Sequence, residues 1–122
     1  AVGRGRIVDG VLTAGPMDVR VRLNIQIVAG DLSFHDAQLR MELRPDGTAH
    51  GALFGFQPVD ELYEIYGRKA GAAGAAALGY TCSGLYAALS SQADGDYDAD
   101  SGRCTSLSVG YHFDAVPAFI VR

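Results

Sequence analysis

Alternating aspartates are the first feature of this sequence that could do chemistry. They are Asp94, Asp96, Asp98 and Asp100. Carboxylates with this spacing can turn inward around a calcium ion, which takes roughly six to eight oxygen ligands. In an EF-hand loop beginning at Asp94, however, Ala99 stands where glycine is required and Thr105 where a bidentate glutamate is required. The segment therefore predicts an exposed acidic loop, most simply a plain polar turn, since Asp and Gly favour turns. The alternatives are a looser calcium site formed by these four aspartates and an acidic docking surface for a basic partner.

The chain has two cysteines, Cys82 and Cys104, one on each side of this acidic segment. They do not form a CxxC motif, so the spacing does not support a thioredoxin-like redox pair. A disulfide between them would close a loop of roughly twenty residues and stabilise the fold by about 3 kcal/mol. We expect this disulfide, and with it a periplasmic or secreted location. Two buried thiols, or one reactive thiol, are the alternatives.

The histidines are the remaining candidates for metal binding or acid–base chemistry. His35, His50 and His112 could bind zinc or copper with Asp36 only if folding brought them together, because no HxH, HxxxH or HExxH pair is present. The nucleophile motif GxSxG is also absent, although Cys82 and a remote histidine could form a thiol dyad. An enzyme would therefore need a site assembled in space, where His35 or His112 meets an acid or Cys82.

Composition and charge narrow the class of protein. The chain has 122 residues, of which 48% are hydrophobic and 20% charged, which is typical of a single globular domain. Its net charge is -4 and its ten basic residues are scattered, so nucleic acid is not an expected partner. The glycine-rich segments match no phosphate-binding motif. The small-residue segment 70–80 is too short to span a bilayer, so no membrane span is predicted.

Period-two alternation predicts most of the strands. Residues 18–28 alternate apolar with polar side chains, which is typical of an antiparallel sheet with one wetted face. Residues 39–56 predict a hairpin around Pro45-Asp46-Gly47, in which Glu42 lies opposite His50. A shorter strand over 5–15, with a glycine bulge and an end at Gly15-Pro16, precedes them.

Two further features complete the predicted sheet. Residues 29–38 are expected to contain a turn at Gly30-Asp31, and the apolar phase changes between Phe34 and Leu39, which indicates a kink. The last strand carries Leu107, Val109, Tyr111 and Phe113 on one face, before Pro117.

Helical spacing replaces alternation after Pro58. One helix is predicted from there, with a break near Gly71, after which the alanine-rich part is either a loop or a helix face of small residues. A second is predicted over 81–93, which turns Cys82 inward together with Leu85, Tyr86 and Leu89. The tyrosines of this region, which are Tyr63, Tyr66, Tyr80 and Tyr86, are expected mostly in the core, with an interface or a small groove as the alternative.

The assembled elements predict an α+β domain over residues 1–122. It would have an antiparallel β-meander or hairpin sheet, two short helices packed on one face and a returning C-terminal strand; a small β-sandwich or open barrel is the alternative. Catalytic motifs are missing, so we expect a non-catalytic extracytoplasmic binding or structural module that belongs to a protein assembly. The alternatives are a calcium-stabilised domain that binds carbohydrate or a surface polymer, and a small enzyme with a spatially assembled site.

Overall fold

A curled antiparallel sheet, close to a half-barrel, dominates the computed structural model, which describes residues 3–25 and 28–118. The strand order is β1-β2-β3-β4-β6-β5, so β1 and β5 are the two edge strands. The strands are β1 (Gly5–Val8), β2 (Val11–Ile25), β3 (Val28–Leu43), β4 (Ala49–Pro58), β5 (Gly95–Asp98) and β6 (Arg103–Ala115).

The helices lie between β4 and β5 in the chain. They are α1 (Val59–Tyr63), which continues as a π-helical segment (Glu64–Lys69), then α2 (Gly71–Ala77) and α3 (Cys82–Gln92). The predicted α+β, β-rich class is confirmed, and the open-barrel alternative describes the curled sheet. The prediction of two helices is wrong, because the described residues form three.

The hairpin predicted around Pro45-Asp46-Gly47 joins β3 to β4. The Arg44 N–H donates to the Thr48 carbonyl over 2.9 Å, and Gly47 has a φ of 83°, which an L side chain would resist. Glu42 lies opposite His50, as predicted. The turn residues therefore fix the register between β3 and β4, near the centre of the sheet.

The first part of the sheet differs from the prediction over residues 5–15. Asp9 and Gly10 form a turn between β1 and β2, with φ angles of 49° and 77°, so Gly10 reverses the chain instead of forming a bulge. Gly15-Pro16 does not end the strand, because β2 continues to Ile25 with a register shift beside this pair.

The turn predicted at Gly30-Asp31 is also wrong, because both residues pair with β2 inside β3. The chain reverses between Ile25 and Val28, which are paired; the predicted strand positions 26 and 27 lie outside the described residues. The predicted kink is confirmed by a register shift between His35 and Gln38. The φ of 49° at the intervening residue 36 marks the same irregularity.

The helical region begins and breaks where the sequence predicts. α1 starts directly after Pro58, and α2 starts at Gly71, whose φ is 59°. The alanine-rich part is a helix of small residues: a Cβ on Gly74 would lie 2.3 Å from the Tyr66 carbonyl oxygen. α3 is capped by Thr81, whose hydroxyl accepts from the Gly84 N–H.

The core lies between the helices and one face of the sheet, which we call the inner face. Leu62 and Ile65 of the helical region pack on sheet residues of β3, and the packed sheet residues are Val28, Leu32, Phe34 and Ala37. Of the helical tyrosines, Tyr66 packs against this cluster, whereas Tyr80 and Tyr86 are exposed. None of the helices among the described residues has the length and apolar character needed to cross a bilayer.

Candidate functional site

The acidic segment is a strand where a loop was expected. Its central residues form β5 and pair with β6, with Gly95 opposite Ser106 and Tyr97 opposite Cys104. Aspartate is unfavourable in strands by propensity, so tertiary contacts must compensate. Serine hydroxyls at alternate positions of β6, those of Ser106 and Ser108, provide those contacts.

Asp94 is bound by a single residue of β6. The carboxylate accepts from the Ser108 backbone N–H at 2.6 Å and from the Ser108 hydroxyl at 2.5 Å. The Ser108 side-chain hydrogen bond, followed by the backbone one, lowers the pKa of Asp94 below its usual value. Asp94 is therefore an ionised acceptor that ties the start of β5 to β6.

Asp96 joins three strands through one carboxylate oxygen. Its Oδ2 atom accepts from the Ser106 hydroxyl of β6 at 2.6 Å and lies 2.7 Å from Nδ1 of His35 on β3. The hydrogen bond from Ser106 is the main cause that lowers the pKa of Asp96, and the hydrogen bond and charge of His35 add to it. An ionised carboxylate can only accept, so the proton shared with His35 belongs to Nδ1. We call these three residues the Asp96 cluster.

The Asp96 cluster has the residue types of a hydrolytic triad but a different order of contacts. A nucleophilic serine must donate to the histidine, which then acts as its base. Here both Ser106 and His35 bind the aspartate, and Ser106 is only 1% exposed. His35 does meet an acid, as a spatially assembled enzyme site requires, but the cluster has no serine placed as a nucleophile. The arrangement stabilises the packing of β3, β5 and β6.

Asp98 and Asp100 lie at the tip between β5 and β6. The Asp98 carboxylate accepts the backbone N–H groups of Asp100 at 3.1 Å and Ser101 at 3.3 Å. Side-chain hydrogen bonding by Ser101, followed by the backbone hydrogen bond from Asp100, lowers the pKa of Asp98. The carboxylates of Asp94, Asp96 and Asp98 thus have separate partners. Among the described residues no group of three or more His, Cys, Asp or Glu could hold a metal. Calcium binding stays a prediction.

The other two histidines do not join His35. Nδ1 of His50 lies 2.8 Å from Oδ1 of Asp114 on β6, although Glu42 lies opposite it on β3. His112 stacks edge-to-face on Phe54, with 6.5 Å between ring centroids. The three rings therefore serve different contacts on the outer side of the sheet.

Both cysteines are free thiols in the structure. The expectation that Cys82 points inward is wrong: it is the first residue of α3 and is exposed, while Leu85 is the fully buried residue of that helix. Cys104 is partly buried, in a groove beside Tyr86 and Ser90 of α3. Cys82 thus belongs to α3, whereas Cys104 belongs to β6 and lies beside a later part of that helix.

One buried polar group had no signal in the sequence. Gln57 of β4 is 1% exposed; its Oε1 accepts from the Tyr111 hydroxyl at 3.2 Å, whereas no residue in the described ranges is a partner for its Nε2. The alternation of β4 does point residue 57 inward, but residue type alone did not indicate burial. A buried amide with an unsatisfied donor costs about 1 to 3 kcal/mol.

Part of the inner face carries apolar residues that no helix covers. The strand register aligns two rows across β1, β2, β3, β4 and β6. The first row is Ile7, Leu12, Met41, Gly51 and Phe113. The second row is Gly5, Ala14, Leu39, Leu53 and Tyr111. We call these rows, together with Leu43, the open apolar face.

The open apolar face begins where the core ends. Within the part of the chain that the structure describes, the core cluster extends to Leu53, in the second row, and includes no residue of the first. Ile7 is 60% exposed, Tyr111 43% and Leu43 38%. Aligned apolar side chains that continue a core into solvent are typical of a binding surface.

Comparison with models of protein families, with curated proteins and with solved structures finds no match to this chain.

Proposed function

We propose that this domain is a non-catalytic binding or structural module and that a protein partner in an assembly packs on its open apolar face. The observation that carries this proposal is the alignment of the two apolar rows across five strands. In the covered half of the inner face, equivalent rows are buried under Leu62 and Ile65. A partner would extend this covering layer over the rest of the sheet.

The composition of the open apolar face favours protein as the partner. Its first row contains Met41 and Phe113, residue types that are enriched at the centres of protein interfaces. Ile7, at the edge strand β1, leaves an accessible end of the surface, where a partner segment can approach without displacing a helix. The hydrogen-bond pattern of the Asp96 cluster supports a non-catalytic role, because the Ser106 hydroxyl donates to the aspartate and not to the histidine.

The proposed location outside the cytoplasm rests on the cysteine pair of the sequence. Oxidation of Cys82 and Cys104 would require their Cα atoms to come within about 7 Å. The test is the mass of the protein from its natural source, with and without reductant. A gain of two hydrogens on reduction supports this location, and a mass that reductant leaves unchanged counts against it.

The binding surface is tested by adding charge where the fold tolerates it. Ile7→Lys combined with Leu43→Lys places two ammonium groups on the open apolar face at exposed positions. The matched control is Tyr97→Lys with Val116→Lys, which makes the same charge change at residues 69% and 77% exposed outside that face. Both variants should unfold at denaturant concentrations close to that of the unmodified protein.

The tagged full chain is used to isolate and identify its partner from the natural source, and affinity for that purified partner is then measured. We expect the control variant to bind like the unmodified protein and the Ile7/Leu43 variant to bind at least roughly tenfold more weakly, because interface charges without partners are strongly unfavourable. Equal binding by both variants would remove the open apolar face as the binding surface. A protein that is always isolated as a lone monomer would remove the assembly itself.

A further inference from the structure

A groove on the opposite side of the sheet, the outer face, brings together arginines from distant parts of the sequence. The groove has a volume of about 670 Å³ and lies beside the Gly15-Pro16 irregularity of β2. Its basic residues are Arg4, Arg6 and Arg40, and no acidic residue lines it. Three of the ten basic residues, which look scattered along the sequence, therefore share one surface.

The register explains why these arginines converge. Arg6 and Arg40 lie on either side of Thr13, in the order β1, β2, β3. Adjacent strands are about 4.8 Å apart, so the two Cα atoms are separated by about 10 Å, and long side chains can reach the same point above Thr13. Arg4 precedes Arg6 by two residues and so projects from the same face.

The groove has unbalanced positive charge. Among the described residues, none of the three arginines forms an ion pair, whereas Arg68 pairs with Glu64 on its own helix at 3.5 Å. All three are exposed, and the whole chain is acidic. Glu42, two residues along β3 from Arg40, lines an adjoining groove, but the described residues form no ion pair between them. The three arginines therefore repel each other, and a bound anion reduces that repulsion.

The rest of the lining suits an anion with an attached organic group. Thr13 and Gln38 add neutral hydrogen-bonding groups, and Phe54, which is 48% exposed, provides an aromatic wall. The guanidinium group donates two parallel hydrogen bonds to a phosphate or carboxylate, and three such groups can neutralise a multiply charged anion. A phosphate monoester, a dianion near neutral pH, matches this charge better than a single carboxylate.

We propose that the outer-face groove is a binding site for a phosphate group, held by Arg6 and Arg40 with Arg4 at the rim. The phosphate belongs either to a small organic phosphate or to a lipid headgroup, since the same donors would bind both. This site is on the opposite face from the proposed protein-binding surface and does not depend on it.

The test compares two arginine double variants of the full chain. Arg6→Gln with Arg40→Gln removes two donors of the groove. Arg20→Gln with Arg22→Gln removes the same charge from exposed residues further along β2, outside the groove. Binding is measured by calorimetry with inorganic phosphate and with phenyl phosphate, and by co-sedimentation with vesicles of phosphatidic acid and phosphatidylcholine.

We expect the unmodified protein and the Arg20/Arg22 variant to bind at least one probe equally well, and the Arg6/Arg40 variant to bind it roughly a hundredfold more weakly, about tenfold for each arginine. If the soluble phosphates bind and the Arg6/Arg40 variant loses that binding, the ligand is a small organic phosphate. If only vesicle binding is lost in this variant, the ligand is a lipid headgroup. Absence of binding to all probes, or equal losses in both double variants, would overturn the proposal. The unfolding midpoints of both variants confirm that each is folded.

Discussion

The Asp96 cluster gives a prediction whose size follows from its geometry. Asp96→Asn keeps the shape of the side chain and leaves the positive φ of 51° at this position acceptable, because asparagine tolerates the left-handed region. It replaces an ionised acceptor by a neutral one for the Ser106 hydroxyl and for Nδ1 of His35. Hydrogen bonds to charged groups contribute about 1.5 to 3 kcal/mol and neutral ones about 1 kcal/mol. The side chain of Asp96 is 31% exposed, so we expect a net loss of about 1 to 2 kcal/mol.

Urea unfolding at neutral pH measures this loss through the shift in midpoint. Asp100→Asn is the matched control, because it makes the same charge change four residues away, at an exposed carboxyl group for which the structure gives no hydrogen-bond donor among the described residues. We expect the control to change the free energy of unfolding by less than about 0.5 kcal/mol. Equal effects of the two substitutions would refute the role assigned to Asp96.

The same cluster predicts how the difference depends on pH. The pKa of Asp96 is lowered from its ordinary value of 3.8, mainly by Ser106, so its stabilisation is complete above that pH and is lost as the pH falls below it. The gap between the unmodified protein and Asp96→Asn should therefore narrow on acidification. A gap that does not narrow as the pH falls below 3.8 would show that the carboxyl is not stabilised as an anion. A double-mutant cycle with Ser106→Ala should give a coupling of about 1 kcal/mol or more, because the two side chains share a bond.

Three other measurements test separate parts of the structure. Gly74→Ala should lower the unfolding midpoint, with a cost of about 1 to 3 kcal/mol, because the new Cβ would lie 2.3 Å from the Tyr66 carbonyl oxygen; an unchanged or higher midpoint, as helix propensity alone would give, would contradict this packing. Gln57→Met should be neutral or stabilising by about 1 kcal/mol, since it removes a buried donor for which the described residues provide no partner; a large fall in the thermal unfolding temperature would show that the amide has a partner. Adding a chelator should leave the unfolding midpoint unchanged, because Asp94, Asp96 and Asp98 have separate hydrogen-bond donors; a fall in the midpoint that calcium reverses would establish the metal site.

Local chemistry made some of these features predictable from the sequence. The turn at Pro45-Asp46-Gly47 combines a residue with fixed φ and one that accepts positive φ, so both its position and its register follow. The helix start at Pro58 and the break at Gly71 have equally local causes. The sequence has no glycine or proline between Ile25 and Val28, and the apolar alternation continues through these positions. The prediction therefore placed the turn too late in the chain.

The features of the site that the sequence did not predict depend on distant contacts. His35 and Asp96 are 61 residues apart, and only the placement of β6 between β4 and β5 brings them together. Aspartates favour loops in isolation, so the acidic segment was expected to be one. The hydroxyls of Ser106 and Ser108, at alternate positions of β6, were the available signal that it pairs as a strand.

Sheets that do not close expose unpaired backbone groups along their edges, and such edges can recruit strands from other molecules and start aggregation. The edge strand β5 has four residues, and the aspartates within and around it concentrate negative charge along that border. The positive φ at Asp96 also interrupts the regular extended backbone that an added strand would need. The acidic segment thus helps to keep this edge of the half-barrel from pairing with identical chains, and its negative charge also contributes to colloidal stability.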